Sequence, residues 1–262
     1  MKHIKLLYLF LLISWSSLPL QAADYLLQSP NGKLTVEIET KGQLSYTLKH
    51  NSQTLLDKSP IGLLLEDKIL GEDIKISRIK RNSSVKEHIV SPHYRLPSFE
   101  VTYNELNLKF KGNYGIIFRA YNEGIAYRFY TTMKGPLIIK DEMVQMNFPE
   151  DYPTFMSYST MPTGEDQYAM AFQNLYTKSS IKGVDTNNIA FLPITIDCGN
   201  ELKMTLLESD LEDYPGMFIK GDGKNTSLQG TFAHYPSEIK NFPPRAMKRI
   251  TKRTDYIART TG

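Results

Sequence analysis

The chain has 262 residues, 41% of them hydrophobic and 23% charged, a balance typical of a folded globular chain and wrong for a disordered one. A formal net charge of only +3 is too small to draw nucleic acid by bulk electrostatics, so no nucleic-acid partner is expected. Cys198 is the one cysteine, which excludes an intrachain disulfide and a multi-cysteine zinc site, and the five histidines form no HxxxH or HExxH pair.

In chain order, the first element is a targeting segment. Lys2 and Lys5 precede an apolar run from Leu6 to Ile13, and a stretch rich in small residues runs from Ser16 to Ala23. A basic start, a short apolar core and a small-residue exit read as a secretory signal peptide. It spans residues 1–22, with cleavage after Ala22 and Ala23 as the next choice. The run is too short to cross a bilayer, and no later segment approaches about 18 consecutive apolar residues. No cysteine lies near the exit, so a lipoprotein anchor is not expected. Cleavage removes two lysines and no acid, which lowers the net charge from +3 to +1. The expectation is export to a bacterial periplasm and a mature chain, 23–262, with no transmembrane segment.

The mature chain reads as strands. Lys33 to Glu39 and Gln43 to Leu48 alternate apolar and polar residues, and Thr40-Lys41-Gly42 between them predicts a hairpin turn. Ser29-Pro30-Asn31-Gly32 is an earlier turn signal. Phe99 to Tyr103 and Leu106 to Phe110 repeat the period of two as two further strands. Tyr114 to Tyr121, Asn122-Glu123-Gly124 and Ile125 to Phe129 predict a second hairpin. Leu137 to Phe148, Ile189 to Ile196, Leu202 to Leu207 and Ser227 to Phe232 complete the candidates. Helical periodicity is scarce, with one turn at best within Asp166 to Phe172. Many short strands separated by Gly, Pro and Asn indicate an all-β sandwich or barrel.

Two stretches carry polar side chains of chemical interest. Glu208-Ser209-Asp210-Leu211-Glu212-Asp213 leads into Tyr214-Pro215-Gly216-Met217, and the Pro-Gly pair suits a type II turn. It reads either as a carboxylate cluster near a sugar or metal, or as a solvated turn whose Asp side chains accept backbone N–H groups. It lacks the Asp-x-Asp-x-Asp-Gly spacing of an EF-hand loop. The second stretch runs from Tyr158 to Thr177 and interleaves aromatic, amide and acidic groups. Aromatic faces stack on sugar rings while amides and acids bind the hydroxyls. Tyr158, Glu165, Asn174, Tyr176 and, from the acidic cluster, Glu208 are the candidate substrate contacts. Glu165 and Asp166 are adjacent, so on a strand they point to opposite faces and make a poor hydrolytic pair. No catalytic residue is assigned, and the basic tail from Arg245 to Arg259 reads as a mixed polar strand or connector.

Several segments together resemble the amino-terminal domain of glycoside hydrolase family 97, a family of exported bacterial α-glucosidases and α-galactosidases. They include Leu27 to Leu34, Ser59-Pro60-Ile61-Gly62-Leu63 and Phe118 to Arg128. The most specific are Phe172-Gln173-Asn174-Leu175-Tyr176-Thr177 and Glu208 to Met217, followed by Phe232-Ala233-His234-Tyr235-Pro236 and Arg259-Thr260-Thr261-Gly262. The resemblance covers the mature chain in order. It implies a large antiparallel β-supersandwich, galactose-mutarotase-like, which in the family precedes a (β/α)₈ barrel holding the catalytic carboxylates. The 262 residues hold no stretch of about 200 residues with alternating strands and helices, so this chain is expected to be inactive alone. Its expected partners are α-linked glycans and, if one is encoded downstream, a catalytic barrel. The resemblance also implies a Glu lent by this domain to a Ca²⁺ ion. By motif order that position is Gln173, with Glu165 and Glu208 as other counterparts. An amide oxygen can ligate Ca²⁺ but lacks the charge and the bidentate mode of a carboxylate. A stand-alone periplasmic carbohydrate-binding protein is the alternative reading, and a mutarotase-like epimerase a third.

Overall fold

Alternating burial along the chain organises it into antiparallel strands. The computed structural model describes residues 24–91, 95–159, 166–170, 173–209, 211–242 and 247–260. The expected signal peptide lies outside the described residues. The chain opens with β1 (Tyr25–Gln28), β2 (Leu34–Glu39), β3 (Ser45–His50), β4 (Gln53–Leu65) and β5 (Ile69–Leu70). Next come β6 (Ile76–Val90), β7 (Ser98–Phe110), β8 (Tyr114–Tyr121), β9 (Ile125–Thr131), β10 (Ile138–Asn147) and β11 (Pro153–Tyr158). A 3₁₀ turn at Gln167–Ala169 precedes β12 (Thr177–Ser180), β13 (Ala190–Asp197), β14 (Lys203–Leu206), β15 (Met217–Gly221) and β16 (Ser227–Phe232). The described chain ends with β17 (Pro236–Phe242), β18 (Met247–Arg253) and β19 (Ala258–Arg259).

The large sheet runs β1-β2-β3-β4-β10-β16-β15-β13-β11-β12, with β5 on β4, β14 on β13 and β19 on β10. A second sheet runs β6-β7-β8-β9, and β17 and β18 form a separate two-stranded antiparallel sheet. The two sheets face each other because each offers one apolar face. Val36 and Ile38 of β2 are fully buried, as are Ile116, Phe118 and Ala120 of β8. The Tyr46 ring of the large sheet lies 6.2 Å from Phe118 and 5.9 Å from Tyr127 of the second sheet. The edge strand β1 is capped rather than left open. Arg81 Nη1 donates to the Leu26 carbonyl at 2.7 Å, and Asn104 Nδ2 donates to the Gln28 carbonyl at 2.8 Å.

Both predicted hairpins form, β2 with β3 and β8 with β9. Phe99 to Phe110 is one continuous strand, β7, where two were expected, because Asn104 and Glu105 stay in the ladder opposite Ala120 and Arg119. The helical expectation reduces to the 3₁₀ turn, whose N-cap Asp166 accepts from the Tyr168 N–H. Two devices shape the sheet at the candidate site. Lys58 sits at φ 37 inside β4, where the register with β3 shifts, and the strand passes on to pair with β10. β10 has its own register shift between Ile139 and Asp141. Beyond that shift the register with β4 is unbroken, and ordinary alternation puts Glu142 on the same face as Val144 and Met146.

Candidate functional site

Between β11 and β12, the described residues 166–168 and Asn174 are held by polar contacts to the large sheet and the loop before β13. Tyr158 ends β11, half-buried, and its hydroxyl accepts from the Asp185 N–H at 3.0 Å. Asn174 Nδ2 donates to the Tyr158 carbonyl at 2.7 Å, so these two expected contacts are brought together by a structural bond. Gln167 bridges to the chain before β13, donating to the Asn187 carbonyl and accepting from the Ile189 N–H. Tyr168 seats its ring edge-on against Phe218 at 5.1 Å, and its hydroxyl meets Thr231 Oγ1 at 2.7 Å.

Arg253 of β18 closes this arrangement. Its Nε and Nη2 donate to Asp166 Oδ2 at 3.0 and 2.7 Å, and its Nη1 donates to the His234 carbonyl at 2.5 Å. The guanidinium also lies 5.7 Å from the centre of the Tyr168 ring. The pair is part-buried, with 18% and 26% side-chain exposure. Asp166 is thus a clamp for the 3₁₀ turn. Beyond the clamp the chain opens outward. Gln173 is exposed, Leu175 is 93% exposed and Tyr176 is 55% exposed. Glu165 lies outside the described residues.

Glu208 is committed elsewhere. Its two carboxylate oxygens accept the Met217 N–H at 2.8 and 2.9 Å, which folds the acidic loop back onto the start of β15. Gly216 lacks positive φ, so the type II turn expected at Pro215-Gly216 is not formed. Glycine is used there for closeness, since a Cβ would stand 3.1 Å from Glu208 Oε1. Burial raises the Glu208 carboxyl above its ordinary value, with the Met217 N–H acting against it.

Beside this loop lies a group that sequence reasoning missed. Glu142 of β10 stands where the two sheets approach each other. Tyr214 donates to its Oε2 at 2.8 Å, and the Tyr214 ring packs 6.1 Å from Phe232. Burial pushes the Glu142 carboxyl up to about 7, Tyr214 opposes the rise, and the Glu208 and Asp141 charges add to it. Burial likewise raises Tyr214 and Tyr127, with Glu142 contributing to both. The signal that could have found it is the alternation through Glu142, Val144, Met146 and Phe148, which sets an acid on the buried face of the predicted strand.

Two open grooves hold one carboxylate each. The larger, about 340 Å³, lies between the β3–β4 and β13–β14 turns and is lined by His50, Asn51, Gln53, Asn200, Glu201 and Leu202. The smaller, about 220 Å³, contains Glu105, which is already held by Arg119 Nε and Asn82 Nδ2 at 2.9 Å each. Neither groove offers the two opposed carboxyls that glycoside hydrolysis uses. Among the described residues no three His, Cys, Asp or Glu side chains converge on a possible cation position. Gln173 alone offers one exposed amide oxygen, far short of the six to eight oxygens Ca²⁺ takes.

Comparison with known proteins places this architecture. A family model described as glycosyl-hydrolase 97 N-terminal matches residues 27–260. The retaining alpha-galactosidase of Bacteroides thetaiotaomicron is 34% identical over 263 residues, covering 97% of this chain and 39% of the galactosidase. A glycoside hydrolase family 97 enzyme from Pseudoalteromonas sp. strain K8, solved in complex with acarbose, superposes with a TM-score of 0.71. It is 16% identical and the match covers 91% of this chain and 34% of that one. A beta-arabinopyranosidase matches with the same TM-score at 18% identity, over 91% of this chain and 40% of its own. At those identities the structural matches establish the fold, and this chain spans well under half the length of each relative. The continuous match from the first strand to the last described one settles the assignment: the chain belongs to the glycosyl-hydrolase 97 N-terminal family.

Proposed function

We propose that this chain is a non-catalytic, glycan-associated β-domain of an exported family 97-type α-glycosidase. The observation that carries the reading is the family match over residues 27–260, beside an alignment that covers 97% of this chain and 39% of the galactosidase relative. The galactosidase's name supplies the substrate class, an α-linked glycan, and a (β/α)₈ barrel is the partner to which the hydrolytic step is assigned. Export to the periplasm is inferred from residues 1–22, on the signal pattern described above. Any Ca²⁺ would be held chiefly by groups beyond the described residues, with Gln173 adding one neutral oxygen.

Glycan contact is assigned to the ledge after the clamp. Asn174 is fixed by its bond to Tyr158, while Leu175 and Tyr176 stay open to solvent. An exposed phenol ring beside a fixed amide suits stacking on a sugar ring. The test is calorimetric titration with maltooligosaccharides and α-galactosides. The expected result is millimolar binding that Tyr176→Ala abolishes, without change in unfolding midpoint. No heat at millimolar ligand, or binding indifferent to Tyr176→Ala, removes the ledge from the proposal.

A further inference from the structure

We propose that the Glu142–Tyr214 pair is a proton-operated latch, which seats the 211–217 segment on the large sheet at mildly acidic pH and loosens it as pH rises through neutrality.

The geometry supplies a loop with two carboxylate attachments. One end is tied by Glu208 to the Met217 N–H, within the loop itself. The other tie leaves the loop: Tyr214 donates to Glu142 on β10. The Tyr214 ring packs against Phe232 of β16 and carries the loop onto the sheet. The groups that bear on Glu142 are Tyr214 and Glu208 from the loop, Asp141 from its own strand and Tyr127 from β9, with Tyr46 of β3 behind Tyr127. None of these is cationic. Its ladder partner on β4, Leu63, is apolar. When Glu142 ionises, it gains a stronger bond from Tyr214 but places a half-buried charge near Glu208 and Asp141. Burial and the two like charges outweigh the phenol. The seated loop therefore favours the protonated acid, and opening the loop to water favours the carboxylate.

Linkage sets the size of the effect. A seated value of about 7 against 4.5 in water gives about a 30-fold rise in the opening equilibrium between pH 5.5 and 8.5, if opening fully rehydrates the acid. Amide hydrogen exchange on the full chain, corrected for intrinsic rates, reads this opening at Met217 and the loop amides. Exchange there is expected to accelerate by about ten- to thirty-fold across that range, while fully buried Ile219 and Ile196 stay level. Glu142→Gln keeps an acceptor without a titrating proton and is expected to flatten the pH response. A wild-type change below about three-fold, or a response that survives Glu142→Gln and disappears in Glu208→Gln, overturns the latch. A carboxyl ¹³C titration of Glu142 decides the matter even if a variant misfolds: a midpoint above about 6 supports the latch, and one near the ordinary value of about 4.3 overturns it.

Discussion

The Arg253–Asp166 clamp can be weighed by removing its charge without its shape. Asp166→Asn keeps an oxygen near the guanidinium but removes the carboxylate that takes both Nε and Nη2. Fully exposed ion pairs contribute about 0–1 kcal/mol, while breaking a buried one costs about 3–5 kcal/mol. With 18% and 26% of the side chains exposed, this pair lies between those limits, so a loss of about 1.5–3 kcal/mol is expected. Arg253 keeps the His234 carbonyl and the Tyr168 ring, so Arg253→Gln should cost somewhat more than Asp166→Asn. A double-mutant cycle in urea unfolding isolates the pair from those other contacts. The expected coupling is about 1–2 kcal/mol, accompanied by faster proteolysis within 159–176 in both single variants. A coupling near zero with unchanged proteolysis would refute the view that Asp166 clamps this segment.

Glu142→Gln should also change global stability with pH. A carboxyl raised in the folded state stabilises fully below its unfolded value and loses that contribution as pH rises through about 7. Urea midpoints should therefore match near pH 4.5 and favour the variant at pH 8.5, by at most about 3 kcal/mol. Gly221→Ala puts a Cβ 2.3 Å from the Val184 carbonyl oxygen, so the backbone must move. Thermal unfolding should register a loss of about 2–4 kcal/mol, against under about 1 for Gly124→Ala, whose Cβ meets nothing within 4 Å. Met156 is fully buried, and Met156→Ala should cost about 2–5 kcal/mol in the same assay. The Cys198 thiol is buried and pushed up to about 11 by burial, so it should resist a disulfide-exchange reagent at pH 8 until urea unfolds the chain.

The strands legible in the sequence are those with one buried and one wet face, such as Leu34 to Glu39 and Tyr114 to Tyr121. There the pleat writes its period of two directly into residue order. β4 was hidden because Asp57-Lys58-Ser59-Pro60 looks like a break, whereas the chain bends at Lys58 and continues. β6 was hidden because it is a mostly exposed edge strand, with no apolar face to betray it. Of the candidate contacts, Tyr158 and Asn174 meet, Tyr176 stands open and Glu208 folds back onto Met217. Composition named these residue types, but only tertiary structure shows which have atoms left over for a ligand. Asp166 and Arg253 are 87 residues apart, and Glu142 and Tyr214 are 72 apart. No local pattern encodes such pairings.

Hydrolysis of aryl α-galactosides and α-glucosides by the purified full chain tests the central proposal most directly. Enzymes of this kind of chemistry work at roughly 1–10³ s⁻¹. The expected result is no turnover above the uncatalysed rate, with or without added Ca²⁺. Turnover in the enzymatic range that co-purifies with the chain and is lost on substituting one of its own carboxylates would contradict the assignment of a non-catalytic domain.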